Sequence, residues 1–282
     1  MAAVGLALLS ALLFGAMSVA LRMGLQRDPD VALGTIATLS VGLAVTAVAV
    51  AAEAPSRGIH PGAAWPFVLA GLLSPGLAQI FVTVGIRESG ASRISMVFGA
   101  APLVSVTIAL IFLGEPARAP LLVGAVLVVA GGVELARERD RPAHLNRLGL
   151  LYAFAGAALF AVRDNLVRHL AAGGTAVPPA VAGAAALCGG MLVAVIWARR
   201  RVSRRWLPFV PAGLLFGSSY VALFEAYYRG RVTVVAPLVA IESLVGVALS
   251  VVFLRSSELV GKRLVFGASL IVAGGALIGA FR

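Results

Sequence analysis

Charge is scarce in this chain. Aspartate and glutamate number 12 in 282 residues, and residues of either sign make up 12%, against about 25% in soluble proteins. So few charges cannot cover a water-facing surface. Cysteine occurs once, as Cys188, which excludes an intramolecular disulfide and any cysteine-based metal site; inside an apolar run, it is expected to pack as a small core residue. The three histidines, His60, His144 and His169, fall in connections or at the end of a run. No His-Glu-x-x-His sequence and no Gly-x-x-x-x-Gly-Lys-Ser/Thr loop occurs, so neither zinc-dependent hydrolysis nor ATP-driven work is indicated. An enzyme would need paired acids, histidine ligands or a serine–histidine pair at one depth. The chain is accordingly read as no enzyme, with no cofactor and no metal. Aromatic residues are 7%. Trp65, Trp197 and Trp206 sit at run ends, as an interface belt requires, and no aromatic cage is evident.

What is abundant is apolar sequence: 60% hydrophobic residues and a mean hydropathy of +1.00. A hydrocarbon core about 30 Å thick takes about 20 apolar residues per helix. The chain divides into ten such runs, at 2–22, 31–52, 64–86, 92–113, 120–136, 148–168, 181–198, 208–228, 232–254 and 263–281. They are continuously apolar rather than alternating, which excludes a β-barrel. The expected fold is all-α and polytopic, with ten transmembrane helices. The first run has no basic segment before it, so a cleaved signal peptide is not expected.

A net charge of +11 with the run Arg199-Arg200-Arg201-Val202-Ser203-Arg204-Arg205 superficially resembles a nucleic-acid tract. Its position directly after a membrane run favours a different role, holding a loop on the cytoplasmic face against lipid headgroups. Membrane lipid is thus an expected partner and nucleic acid is not. Arginine and lysine concentrate in the odd-numbered connections, while the even ones hold Arg57, then Arg118, then Arg168, then Arg229 with Arg231. The positive-inside rule then puts both termini outside. The expected location is a bacterial inner membrane.

Residues 124–132 read Gly-Ala-Val-Leu-Val-Val-Ala-Gly-Gly and residues 267–275 read Gly-Ala-Ser-Leu-Ile-Val-Ala-Gly-Gly, seven identities in nine at an offset of 143. Phe14 to Arg22 likewise matches Phe160 to Arg168, and Phe112-Leu113 matches Phe253-Leu254. Two copies are expected, at 1–140 and 141–282. Five helices per copy is an odd number, so the copies cross in opposite senses and form a 5+5 inverted repeat. Such repeats suit alternating access around a midplane site. The glycines spaced seven apart, Gly124 with Gly131 and Gly267 with Gly274, form a small-residue packing seam. Ten helices with an internal pseudo-dimer make a monomer sufficient, while Gly275-x-x-x-Gly279 offers a face for a homodimer.

These residues resemble the EamA family of the drug/metabolite transporter superfamily, ten-helix permeases. The resemblance is carried by Phe14-Gly15-Ala16-Met17-Ser18-Val19-Ala20-Leu21-Arg22, by Gly90-Ala91-Ser92-Arg93 leading to Pro102, by Phe112-Leu113-Gly114-Glu115 and by the Gly124–Gly132 signature, with second-copy counterparts at Pro237, Phe253-Leu254 and Gly267–Gly275. It implies secondary transport, commonly export, of small metabolites such as amino acids and their relatives. A non-transporting scaffold or regulatory protein on the same fold is the alternative. Where the repeat puts Pro102 opposite residue 242, this chain departs with Glu242.

Glu242 is the costliest residue to insert, at about 2.5–3.5 kcal/mol for a central charge. It either exchanges a proton or pairs with a substrate ammonium, or it is a structural carboxyl bonded to neighbours. Arg163, Asp164 and Asn165 interrupt the sixth run. Asp164 and Arg168 are spaced to pair along one helix face; Arg163 has no such local partner and either snorkels to the headgroups or points inward to a carboxylate. Glu225 and Arg229 repeat the i, i+4 arrangement. Ser218, Ser219 and Tyr220 in the eighth run and Gln79 in the third are candidate hydrogen-bonding groups for substrate, with packing as the other reading. Ser18 with Met17, and Phe98 with Met96, are candidates for a pocket wall. Pro102 and Pro237 each remove a backbone hydrogen bond inside a run and are candidate helix hinges.

Overall fold

The computed structural model describes residues 2–89, 94, 97, 101–136, 147–199, 204–254 and 262–281, all of its regular structure helical. The order is α1 (Ala2–Arg27), α2 (Val31–Arg57), α3 (Trp65–Gly71), a π segment (Leu72–Leu77), α4 (Ala78–Ser89), α5 (Ala101–Phe112), α6 (Ala119–Ala136), α7 (Arg147–Ala172), α8 (Pro179–Ala198), α9 (Val210–Arg229), α10 (Val232–Val239), α11 (Glu242–Phe253) and α12 (Lys262–Ala280), with short 3-10 turns before α3 and α9. Among the described residues six stretches are long and apolar enough to cross a membrane: Ala2–Arg27, Val31–Arg57, Trp65–Ser89, Pro179–Ala198, Arg205–Arg229 and Val232–Phe253. The start of the fourth run, with Met96 and Phe98, and most of the basic run after α8 lie outside the described residues.

Local signals explain where these helices begin and end. Asp30 caps α2, its carboxylate accepting from the backbone N–H groups of Ala32 and Leu33 at 3.0 and 3.2 Å, the usual way of satisfying orphan donors of the first turn. Gly58, at φ 72°, closes the same helix. Pro179 and Pro211 start α8 and α9, where a missing N–H costs nothing.

Two runs expected to be continuous are broken. In the third, Ser74 leaves helical dihedrals (φ −146°, ψ 116°) ahead of Pro75, because the proline ring disfavours the helical region for the residue before it. In the ninth, the helix stops at Val239 and restarts at Glu242, with i to i−3 bonds from Ile241 to Leu238 and from Ser243 to Ala240 spanning the join. Pro237 lies just before that join and lacks the donor that would hold the preceding turn. Glu242 therefore opens a half-helix rather than sitting within a continuous one.

The surface is apolar and the interior carries the polarity. Val48, Ile111, Phe112 and Ile196 are each at least 65% exposed, which suits hydrocarbon and would be an aggregation liability in water. Cys188 is exposed too, a correction to its expected core role: it lies on the outward face of α8 with Leu192 and Val195, while Leu187 and Gly189 face inward. Inside, Arg163, Asp164, Asn165, Gln79 and Glu242 are buried.

The repeated signatures meet each other. A Cβ on Gly131 would stand 2.4 Å from the carbonyl oxygen of Gly267, and one on Gly274 would stand 2.4 Å from that of Gly124. Helices α6 and α12 thus run antiparallel along the expected seam, close enough for backbones to touch. Gly275 packs against Ile241 within the same chain, so it does not present the outward homodimer face considered for it. A second matched pair is electrostatic. Arg22 Nη1 donates to the carbonyls of Ile86 and Arg87 at 3.1 and 2.9 Å, and its counterpart Arg168 donates to the carbonyl of Tyr227 at 3.1 Å. Each arginine complements the electronegative C-terminal end of a neighbouring helix.

Candidate functional site

A cavity of about 40 Å³ lies where α1, α5, α7, α9 and the α10–α11 join converge. Helical spacing sets its walls. Ser10 and Phe14 face it from α1, Ala101, Pro102 and Ser105 from α5, Phe160, Ala161, Arg163 and Asp164 from α7, Leu223 from α9, and Ala236, Val239, Ala240 and Glu242 from the broken ninth run. Gly15 lets α1 reach the break: a Cβ there would stand 2.6 Å from the Glu242 carbonyl oxygen. At this volume the cavity holds a few waters at about 10–15 Å³ apiece. The conformation is therefore one that leaves very little space at the centre.

Arg163 is 2% exposed. Its Nε lies 2.8 Å from Asp164 Oδ1, an ion pair whose N–H is not aimed at the oxygen, so that Nε, Nη1 and Asp164 Oδ1 make no hydrogen bond. Around the guanidinium stand three rings, Phe160, Tyr220 and Phe224, at 5.1, 4.9 and 5.8 Å from its centre. Such contacts are worth about 0.5–2 kcal/mol each and help offset a desolvation cost of several kcal/mol. The aromatic fraction gave no hint of a cage, yet one exists, built around the protein's own cation. The inward reading of Arg163 is the observed one. Its partner is Asp164, not absent as expected, because Arg168 is drawn to the Tyr227 carbonyl and leaves Asp164 free to turn inward.

Glu242 is 6% exposed and, among the described residues, makes no hydrogen bond or ion pair, although Arg163 and Asp164 are near enough to act on it electrostatically. The Tyr220 and Tyr227 hydroxyls are buried without a hydrogen bond of full geometry, the first standing near Ser74 and the second near Asp164. The site is thus a knot of two carboxyls and one guanidinium with unused bonding capacity, in an apolar chamber.

The other candidates are placed elsewhere. Tyr220 abuts the cavity through Arg163 without lining it. Ser219 exchanges hydrogen bonds with Ser10, hydroxyl to hydroxyl at 2.9 Å, tying α9 to α1. Asn165 donates to the carbonyls of Ser105 and Ala161 at 3.1 and 2.9 Å, tying α7 to α5. Ser18 bonds back to the Phe14 carbonyl at 3.3 Å. Ser218 is half-buried and Gln79, fully buried with its amide unpaired, stands outside the chamber. Glu225 does pair with Arg229, at 2.6 Å, and also holds Arg57 from α2. Ser10, Phe14, Ser105 and Phe160 were not among the candidates; the available signals were the i, i+4 spacing of Ser10 and Phe14 and the match of Phe14 to Phe160 in the repeat.

A model of the EamA-like transporter family matches residues 1–134 and, separately, residues 147–280. The chain belongs to the EamA-like transporter family. No curated protein matches this EamA-like transporter. Among the solved structures that match it is a crystal structure with a TM-score of 0.67 at 22% identity, over 95% of this chain and 96% of that one, a likeness of fold. As an EamA-like protein the chain is a multi-pass membrane protein of a class that transports rather than catalyses, and its central chamber lies between segments of the two matched halves.

Proposed function

We propose that this EamA-like protein is a secondary transporter of small metabolites such as amino acids and related compounds, probing them in the chamber between two five-helix copies of opposite sense. The observation that carries the reading is the chamber's bonding inventory: among the described residues Glu242 makes no hydrogen bond or ion pair, and Nε and Nη1 of Arg163 complete no hydrogen bond even though Nε lies against Asp164. Buried polar groups in a membrane protein are expensive when left unpaired. An ammonium on Glu242 and a carboxylate on Arg163 would relieve both. The reciprocal glycine contacts of α6 with α12, and the matched arginines Arg22 and Arg168, support an inverted ten-helix repeat divided near residue 140. Two similar halves of opposite sense have inward-open and outward-open forms of nearly equal energy.

The chamber is too small for an amino acid as it stands, so opening must accompany binding. Glu242 is the group proposed to exchange a proton in that step, and Pro237, just before the break, the hinge that lets α11 move. The proposed setting is a bacterial inner membrane with both termini outside, lipid as the surrounding partner and one chain as the working unit. The test is uptake of a panel of labelled amino acids and related metabolites by purified protein in liposomes, with and without an imposed pH gradient. Gradient-driven accumulation that is lost in Glu242→Gln supports coupling through that carboxyl. An unchanged pH response in Glu242→Gln refutes it.

A further inference from the structure

We infer that the chamber has a head end and a tail end supplied by different copies of the repeat, and that Phe14 sets the size of side chain the tail end admits; this rests on the transport reading above. All three charged residues of the chamber come from the second copy: Arg163, Asp164 and Glu242. The positions matched to them in the first copy are Met17, Ser18 and Pro102. The repeat is therefore symmetric in backbone and asymmetric in chemistry. Among the described residues, a ligand's charged groups have charged partners on the second-copy side, and its apolar part is left facing the first.

The two phenylalanines at matched positions have diverged in the same way. Phe14 and Phe160 meet edge to face, 5.7 Å apart at 84°, and both line the chamber. Phe160 also lies 5.1 Å from the Arg163 guanidinium and supports the head end. Phe14 packs on Phe216 at 5.9 Å. Among the described residues it is the bulkiest side chain that the first copy contributes to the wall, with Ser10, Ala101, Pro102 and Ser105 beside it. With about 40 Å³ available, an entering side chain must press on Phe14, which is packed against Phe216. An apolar wall discriminates about 10–200-fold per methylene, so position 14 should order substrates by bulk.

The test is liposome uptake of glycine, alanine, valine, leucine and phenylalanine by the wild type, Phe14→Ala, Phe14→Leu, Phe14→Trp and Phe160→Leu, each confirmed to elute as the wild type does. Phe14→Ala should raise phenylalanine relative to alanine about tenfold or more, with Phe14→Leu in between and Phe14→Trp in the opposite direction. Phe160→Leu should slow all five without reordering them. An order of preference unchanged at position 14, or reordered by Phe160→Leu instead, overturns the inference while transport stands. Wild-type protein that moves none of the five overturns both.

Discussion

Replacing Asp164 by asparagine keeps the shape of the side chain and removes its charge, leaving Arg163 buried at 2% exposure with three rings and, as the nearby carboxyl among the described residues, only Glu242, with which it makes no ion pair. Breaking a buried pair by neutralising one partner costs about 3–5 kcal/mol, because the remaining charge keeps its desolvation penalty and loses its compensation. At about 2 °C per kcal/mol for a chain of this size, thermal unfolding in detergent, followed by tryptophan fluorescence, should drop by about 6–10 °C. The double replacement Arg163→Met with Asp164→Leu removes both penalties and should recover most of that loss. The recovery separates a true ion pair from a merely crowded position, since two large changes in one packed site would otherwise add. Asp164→Asn unfolding at the wild-type temperature, or a double variant worse than the sum of the two singles, would refute the reasoning.

Other outcomes follow from the same contacts. Valine at Gly131 or at Gly274 sets a side chain against a carbonyl 2.4 Å away and should cost about 1–3 kcal/mol of stability as overpacking, read as a lower unfolding temperature; wild-type stability in both would deny the seam. Glu115 accepts from the N–H groups of Val232 and Thr233 at 2.9 Å each, so Glu115→Ala should lose about 1 kcal/mol of capping and speed amide exchange at the start of α10, and unaltered exchange there would contradict the cap. Glu225→Ala frees Arg229 and leaves Arg57 to Glu53 at 3.5 Å, both arginines being 40% exposed or more, and should shift stability by no more than about 1 kcal/mol, less at high salt; a loss of several kcal/mol would mean the cluster is far drier than it looks.

The all-helical, membrane-spanning character and the duplication were legible because hydropathy and self-similarity survive without tertiary context. The seam of α6 on α12 could be read for the same reason, as small residues repeat at a helical interval. What escaped notice was set by neighbours. Ser74-Pro75-Gly76 is a turn signal in the middle of an apolar run, and hydropathy alone passed over it. Asp164 sits four residues from Arg168 on paper, but a carbonyl at the end of α9 takes that arginine. The cage around Arg163 needs rings from α7 and α9 that lie some 60 positions apart. Polar side chains such as Ser219 and Asn165 look alike in sequence whether they face substrate or stitch helices together; only their partners, Ser10 and the Ser105 carbonyl, tell them apart.

The central claim is that the chamber between the copies opens alternately to the two sides of the membrane. Ser10, buried on its wall, can be replaced by cysteine in a Cys188→Ser background and exposed to a membrane-impermeant maleimide from either face of oriented vesicles. The account expects labelling from both faces, with a transported substrate slowing both reactions. Labelling confined to one face under every condition, or none from either, would contradict it.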